Sequence, residues 1–238
     1  MEETYCTKTI VLNRTDFREY DSRTIVYSQD RGKLDLVARG VKKLKSKLAA
    51  HLEPFNLSEI MVVRGRQFDY IGAASSQNCF AGIKNDLIKL AIAGKAVNIL
   101  NKLVKPEEAD KEIFSLLNDF LKTLDCYDLK VSSDLWADFF TLKLMARLGY
   151  RPQLYNCVIC HNKIIPGQNL FDLSQGGLIG KECFNKKGNE ALTISDNGIK
   201  ILRAAIDNDF QKLKNLKISA KLGLEIKNII SSFFQYHT

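Results

Sequence analysis

The sequence predicts an α+β protein, with a small five-stranded β-barrel at the N-terminus followed by an all-helical C-terminal domain that carries a cysteine-knuckle insertion. Three observations predict it. Up to about residue 77 apolar residues come in short runs with period two, and beyond it they recur at spacings of three and four. Cys157 and Cys160, with Cys183 further on, then interrupt the helical pattern. The boundary is expected near residues 77–84 and is set at 80/81, dividing 1–80 from 81–238, with the knuckle region at about 154–186.

The expected strands, in order, are Thr9 to Leu12, Arg23 to Ser28, Lys33 to Arg39, Phe55 to Arg64 and Phe68 to Ser75, all rich in β-branched and aromatic residues. Alternation puts Leu34, Leu36 and Ala38 on one face of the third run, and Phe55, Leu57, Met61 and Val63 on one face of the fourth. Asp30-Arg31-Gly32 and Arg64-Gly65-Arg66 read as turns whose glycine supplies a positive φ. Five antiparallel strands in about eighty residues suit an OB-fold barrel better than a sandwich, which usually needs seven or more.

The first helices are marked by Leu87, Leu90, Ala91, Ala93, Val97 and Leu100, and by Ile113, Leu116, Leu117, Phe120 and Leu124. Pro106, followed by Glu107 and Glu108, predicts that the second of these begins there. Ser133 with Asp134 reads as the N-cap of a helix through Trp136, Phe139, Phe140, Leu142 and Leu144 that ends at Gly149. Ser195 reads as the cap of a helix over 197–206, and Leu216 to Tyr236 gives the last.

The 45 % hydrophobic content supports a sizeable core. Leu87 to Leu100 is broken by Lys89 and Lys95, far short of the roughly 20 apolar residues of a spanning helix. Met1-Glu2-Glu3 lacks the cationic start of a secretory signal, so a cytoplasmic protein is expected. Six cysteines in 238 residues are too sparse for a disulfide scaffold. Cys6, Cys79 and Cys126 are expected to be inert core thiols.

Enzyme signatures are missing. There is no Gly-x-Ser-x-Gly or His-Glu-x-x-His, and three histidines offer little for a triad. Gly176-Gly177-Leu178-Ile179-Gly180-Lys181 is not a phosphate loop, because Gln175 stands where its first glycine belongs and Glu182 where Ser or Thr must bind magnesium. A protein without covalent chemistry is expected.

Lys and Arg total 35 against 27 Asp and Glu, and much of the net +8 is local. Residues 31–51 hold Arg31, Lys33, Arg39, Lys42, Lys43, Lys45 and Lys47 against Asp35 alone, a net +6. A solvated lysine-rich face is the plain reading of such a run. On an OB barrel, however, it falls where single strands of nucleic acid lie, and its cations would neutralise phosphates and release counterions. Phe17, Tyr20, Tyr27, Phe68 and Tyr70 are candidate stacking rings, each also able to serve as barrel filling. Val41, Leu44, Leu48 and Leu52 allow a second reading of the segment, a basic amphipathic helix that plugs the barrel, with a membrane surface the weaker option.

Cys157-Val158-Ile159-Cys160 and Cys183 resemble part of a zinc ribbon. Gly180 stands where a second knuckle needs cysteine. His161 would share an ion only with awkward local geometry, and Asp172 is a weaker fourth ligand. Two readings stay open, bound zinc or a degenerate knuckle kept only as a turn, and a thioredoxin-like redox pair lacks the surrounding βαβ pattern.

Gly32-Lys33-Leu34, the stretch Val37-Ala38-Arg39-Gly40-Val41-Lys42-Lys43, Ser46 and Glu53-Pro54-Phe55 together resemble the bacterial RecO family of DNA repair proteins. Phe171 to Gly177 before Cys183, with Cys157 and Cys160, resembles that family's zinc-binding region. The resemblance covers nearly the whole chain. It implies an OB-fold followed by a helical domain, binding of single- and double-stranded DNA, and annealing of complementary strands. It also implies action with RecR to load RecA onto strands covered by single-strand-binding protein, whose acidic tail is contacted, in a cytoplasmic, nucleoid-associated setting. By it, Lys33, Arg39, Lys42 and Lys43 match the family's basic stretch, and Lys45, Lys47, Arg64 and Arg66 join them on charge and expected position. Cys157, Cys160 and Cys183 are the metal candidates. Gly180 departs from the zinc-binding members, and after His237 the sequence has Thr238 rather than the basic Lys-Ser segment many members carry. Rival readings are an RNA-binding OB module and a scaffold whose basic patch docks an acidic protein.

Overall fold

Alternating side chains in the first eighty residues need one face covered, and five strands achieve this by rolling up. They are β1 (Thr4–Asp16), β2 (Ser22–Ser28), β3 (Gly32–Ala38), β4 (Leu57–Val63) and β5 (Asp69–Asn78). Their order in the computed structural model, which describes residues 3–126, 135–186 and 191–238, is β1-β2-β3-β5-β4, closed into a barrel. β3 and β5 run parallel, Leu36 beside Asp69 and Val37 beside Tyr70, and β4 closes on β1. This is the expected OB arrangement. β1 is long because it serves two neighbours: residues 4–10 pair with β4, and residues 9–16 with β2.

Val11, Val26, Leu34, Leu36, Ala38, Ile60, Val62 and Ile71 fill the barrel. β4 turns the face opposite to the one expected inward: Ser58, Ile60 and Val62 are fully buried, while Met61 and Val63 are half-buried and Glu59 between them is exposed. Gly65 also differs in its reason. It does not hold a positive φ; a Cβ there would sit 2.2 Å from the Phe68 carbonyl oxygen. Gly32 meets both demands, with φ +67° and the Glu108 carbonyl oxygen 2.2 Å from where its Cβ would be.

The β3–β4 connection, residues 39–56, plugs the barrel without forming the expected helix; it is a succession of turns. Val41 and Leu52 enter the barrel core and Leu48 packs against it, whereas Leu44 is fully exposed. Polar bonds fix its far part: the Asn56 amide donates to Ala50 O at 2.8 Å, Ser58 Oγ to His51 O at 2.7 Å, and the Ser76 N–H to His51 Nδ1 at 3.2 Å. The neutral core and these local bonds leave its lysines to solvent.

Two compact units emerge from the packing, residues 1–126 and 127–238. The proposed 80/81 boundary marks the change from strand to helix, but α1 (Ala81–Lys84), α2 (Leu87–Leu103) and α3 (Lys111–Cys126) pack in the same unit as the barrel. α3 starts later than Pro106 suggested. Pro106 bridges to Lys33 and Glu107 has φ +58°, so the chain turns there, and Asp110 caps the helix by accepting from Glu112 N and Ile113 N at 2.8 and 3.1 Å. The expected cap at Ser133 and Asp134 lies outside the described residues.

In the second unit α4 (Leu135–Arg147) is apolar nearly all round and accordingly buried, packed by α5 (Asp196–Asp207) and α7 (Ala220–His237). Ser195 caps α5 as expected, accepting from Gly198 N at 3.0 Å, and Ser219 caps α7. A short α6 (Phe210–Leu213) precedes it. The unit is not all helix, since β6 (Asn169–Asp172), β7 (Gly177–Gly180) and β8 (Ala191–Ile194) form a sheet in the order β7-β6-β8. Residues 173–176 make the β6–β7 turn, Gly176 taking φ +63°. Cys6, Cys79 and Cys126 are exposed rather than core thiols. Among the described residues no helix is long and apolar enough to cross a membrane.

Candidate nucleic-acid interface and metal centre

Three connections of the barrel meet on one surface. The β1–β2 loop brings Phe17 and Tyr20, the β4–β5 hairpin brings Phe68, and β3 leads into the basic connection at Arg39. Phe17 and Phe68 touch edge to face at 5.4 Å between centroids, tying the two loops together. Lys42 N donates to Tyr20 O at 3.0 Å and Gly40 N to Asp21 Oδ1 at 2.8 Å, which seats the basic connection beside the first loop.

The cations there sit on rings. The Arg39 guanidinium lies 3.7 Å from the Tyr70 centroid, the Lys43 ammonium 5.5 Å from that of Tyr20, and the Arg18 guanidinium 5.0 Å from that of Phe17. A cation over a ring is attracted by its quadrupole and held in place. Arg39, Lys42, Lys43, Lys45, Lys47, Arg64 and Arg66 are all exposed. Lys42 pairs with exposed Asp16 at 3.2 Å, and Arg64 with Glu3 at 3.8 Å, contacts that a phosphate could replace at little cost.

Lys33 is set apart from the others. About 20 Å of strand separates it from Arg39, and its ammonium donates to Asn101 O at 2.8 Å at the end of α2. Burial lowers its pKa below the ordinary lysine value. Tyr27 is also excluded as a platform, being fully buried. On the barrel, Arg18 and, 4.0 Å from the Tyr5 centroid, Arg31 also stack on rings although they lie outside the expected set. The basic run had drawn attention to Arg31, but nothing in the sequence linked it to a ring 26 residues away.

In the second unit the Cys157–His161 loop is hung on β7: Val158 N donates to Leu178 O and Leu178 N to Gln153 O, both at 2.9 Å. The loop closes with Cys157 N on Asn162 O at 2.8 Å and His161 N on Cys157 O at 2.9 Å, His161 taking φ +62°. This turn carries Cys157 and Cys160 round to Cys183, which stands in the 3₁₀ turn Lys181–Lys186 after β7. The three sulfurs lie within 4.8 Å of one another, Cys157 and Cys183 buried and Cys160 exposed.

The local fields suit a thiolate at Cys157. Burial pushes its thiol up, but the N–H groups of Cys160, Gly180 and Ile159 and the Cys160 thiol outweigh it and bring the pKa down to about 7. Hydrogen bonding with Cys160, then burial and the Cys157 thiol, push Cys183 up to about 11, as expected when neighbouring thiols compete for one proton. Three convergent sulfurs with N–H donors behind them fit a soft divalent ion such as Zn2+, which binds thiolates at about 2.3 Å. The other two sequence candidates do not join them. Asp172 is fully buried with Oδ1 accepting from Ser174 Oγ and Gln175 N at 2.6 and 3.0 Å, and His161 is outside the cluster. A Cβ built on Gly180 would meet only Ile164 Cδ1, at 3.8 Å.

The chain matches the family described as Recombination protein O N terminal over residues 1–80 and that described as Recombination protein O C terminal over residues 84–238. Curated relatives carry the name DNA repair protein RecO. One from Desulforamulus reducens is 32% identical across 96% of this chain and 87% of its own length. One from Dehalococcoides mccartyi is 30% identical across 97% and 89%, and one from Thermoanaerobacter sp. 28% across 97% and 91%.

Proposed function

Because the chain belongs to the RecO family of DNA repair proteins, with a role in recombinational repair, we propose that it is a non-enzymatic recombination mediator that anneals complementary single strands. It acts with RecR to load RecA onto strands covered by single-strand-binding protein, whose acidic tail it engages. The observation that carries the DNA-binding part is the set of cations seated on aromatic faces where the β1–β2 loop, the β4–β5 hairpin and the basic connection meet.

Arg39, Lys42, Lys43, Lys45, Lys47, Arg64 and Arg66 neutralise phosphates, while Tyr20, Tyr70 and the Phe17–Phe68 pair offer π-faces that accept any base. Sequence tolerance follows from stacking, and salt sensitivity from counterion release. Two strands whose phosphates are neutralised repel each other less, and bases left unstacked can find complements. Lys33 is a structural residue in this reading. Cys157, Cys160 and Cys183 would hold Zn2+, which when bound would supply cohesion to the knuckle.

The test is fluorescence-detected annealing of two complementary oligonucleotides, naked and then coated with single-strand-binding protein, across a salt series. Acceleration that survives coating and weakens with salt is expected. With about five cations on a single strand, log affinity falls with log salt at a slope of roughly −3.5. A slope near zero overturns the phosphate reading, and preference for RNA over DNA of one sequence transfers the surface to RNA.

A further inference from the structure

We infer that the cysteine cleft holds its metal through three protein thiolates and leaves the fourth coordination position open to a small anionic donor from outside the chain, a thiolate above all. This rests on the assignment of Cys157, Cys160 and Cys183 as ligands. Among the described residues no other metal-ligating group joins the cluster.

The fourth corner has not been taken over by packing. Gly180 borders the site, lining the same cleft as Cys157, Cys160 and Cys183. The space its side chain would occupy has a single neighbour at ordinary contact distance, Ile164 Cδ1. That space is continuous with a cleft of about 280 Å³ lined by the three cysteines, Gly180, Lys163, Lys181, Glu182 and the apolar Ile164-Ile165-Pro166 wall. At about 30 Å³ per water the cleft has room for several waters or a small organic thiol. Cys160 is exposed, so the metal would be reached from solvent.

Coordination chemistry selects the occupant. A zinc site with four protein thiolates is inert, whereas one with three protein ligands keeps an exchangeable position for water or another donor. Three thiolates on a divalent ion leave a net charge of −1, which alone disfavours an anion. Lys163 and Lys181 along the cleft offset it, and the apolar wall favours a soft donor with a hydrocarbon body. Among the described residues, Glu182 is the one carboxylate along the cleft that could compete from within the chain.

The full-length protein, freed of metal and kept reduced with a phosphine, is titrated with Co2+ and followed by its absorption bands. One Co2+ per chain is expected, with bands that shift on adding 2-mercaptoethanol and saturate. Gly180→Cys is expected to show the shifted bands without added thiol and to lose the response. Wild-type bands that ignore added thiol overturn the open corner, and recovery of the response in Glu182→Gln would then identify the chain's own carboxylate as the fourth ligand. If neither wild type nor Gly180→Cys binds one equivalent, the metal assignment itself fails. The wild-type response decides the inference even if Gly180→Cys does not fold.

Discussion

The β3–β4 connection and the Cys157–His161 loop are both irregular chain attached to a small sheet, and they are held by different forces. The first buries Val41 and Leu52 in a closed barrel and ties its far part down with side-chain to backbone bonds. The second hangs on a four-residue strand, and its one buried residue is Cys157, whose sulfur lies within 4.8 Å of those of Cys160 and Cys183. Cohesion from hydrocarbon burial is indifferent to chelators and oxidants. Cohesion from thiolates on a shared ion is conditional on both.

Metal removal should separate the two most sharply. A chelator is expected to erase hydrogen-exchange protection at Cys157, Val158 and His161 while the barrel amides stay protected, and Cys157→Ser should reproduce the effect. Equal loss in both regions would erase the contrast. Next in size, Leu52→Ala should cost about 2–5 kcal/mol in denaturant unfolding of the first unit, because Leu52 is fully buried under the barrel. A change under about 1 kcal/mol would mean that the connection is not part of the core.

Tyr70→Ala removes a platform, and with it the ring beneath Arg39, but no charge. It should weaken single-stranded DNA binding by about 1–3 kcal/mol and leave the salt slope unchanged. Removing Lys42 and Lys43 together should instead flatten that slope by roughly 1.4 units. If the two variants behave alike, stacking and neutralisation are not separate contributions.

The units should also respond oppositely to alkali. In the second unit Lys143 donates to Ile206 O and Asn208 O, and burial lowers its pKa to about 8. Between about pH 8 and 10.5 the unfolded chain therefore binds more protons there, so this group's contribution to stability rises with pH. In the first unit burial raises Tyr27 to about 12, so the folded state retains its proton from about pH 10 upward and stability falls. Thermal melts across pH 8 to 11 check both signs, with Lys143→Met and Tyr27→Phe as controls. The smallest effect expected is that of Lys33→Met, which should leave DNA affinity within error.

The barrel was legible because its burial is periodic: Leu34, Leu36 and Ala38 announce an inward face by spacing alone. β4 was misread because apolar residues occupy both its faces, and only the exposure of Glu59 tells which is outside. Pro106 fits a helix start by local rules, but its bridge to Lys33 is a long-range fact that overrides them. The cationic residues were visible as a run, whereas their pairing with rings depends on strand register: Arg39 meets Tyr70 because β3 and β5 run parallel with Val37 beside it. Cys157, Cys160 and Cys183 were found by spacing, and the exposure of Cys6, Cys79 and Cys126 could not be read from apolar neighbours along the chain.

The unobstructed space at Gly180 has a genetic consequence. Two of the four glycine codons become cysteine codons by one base change. An added Cβ there meets only an ordinary contact with Ile164, so the backbone does not oppose that single change. One base change can therefore separate a three-thiol from a four-thiol knuckle.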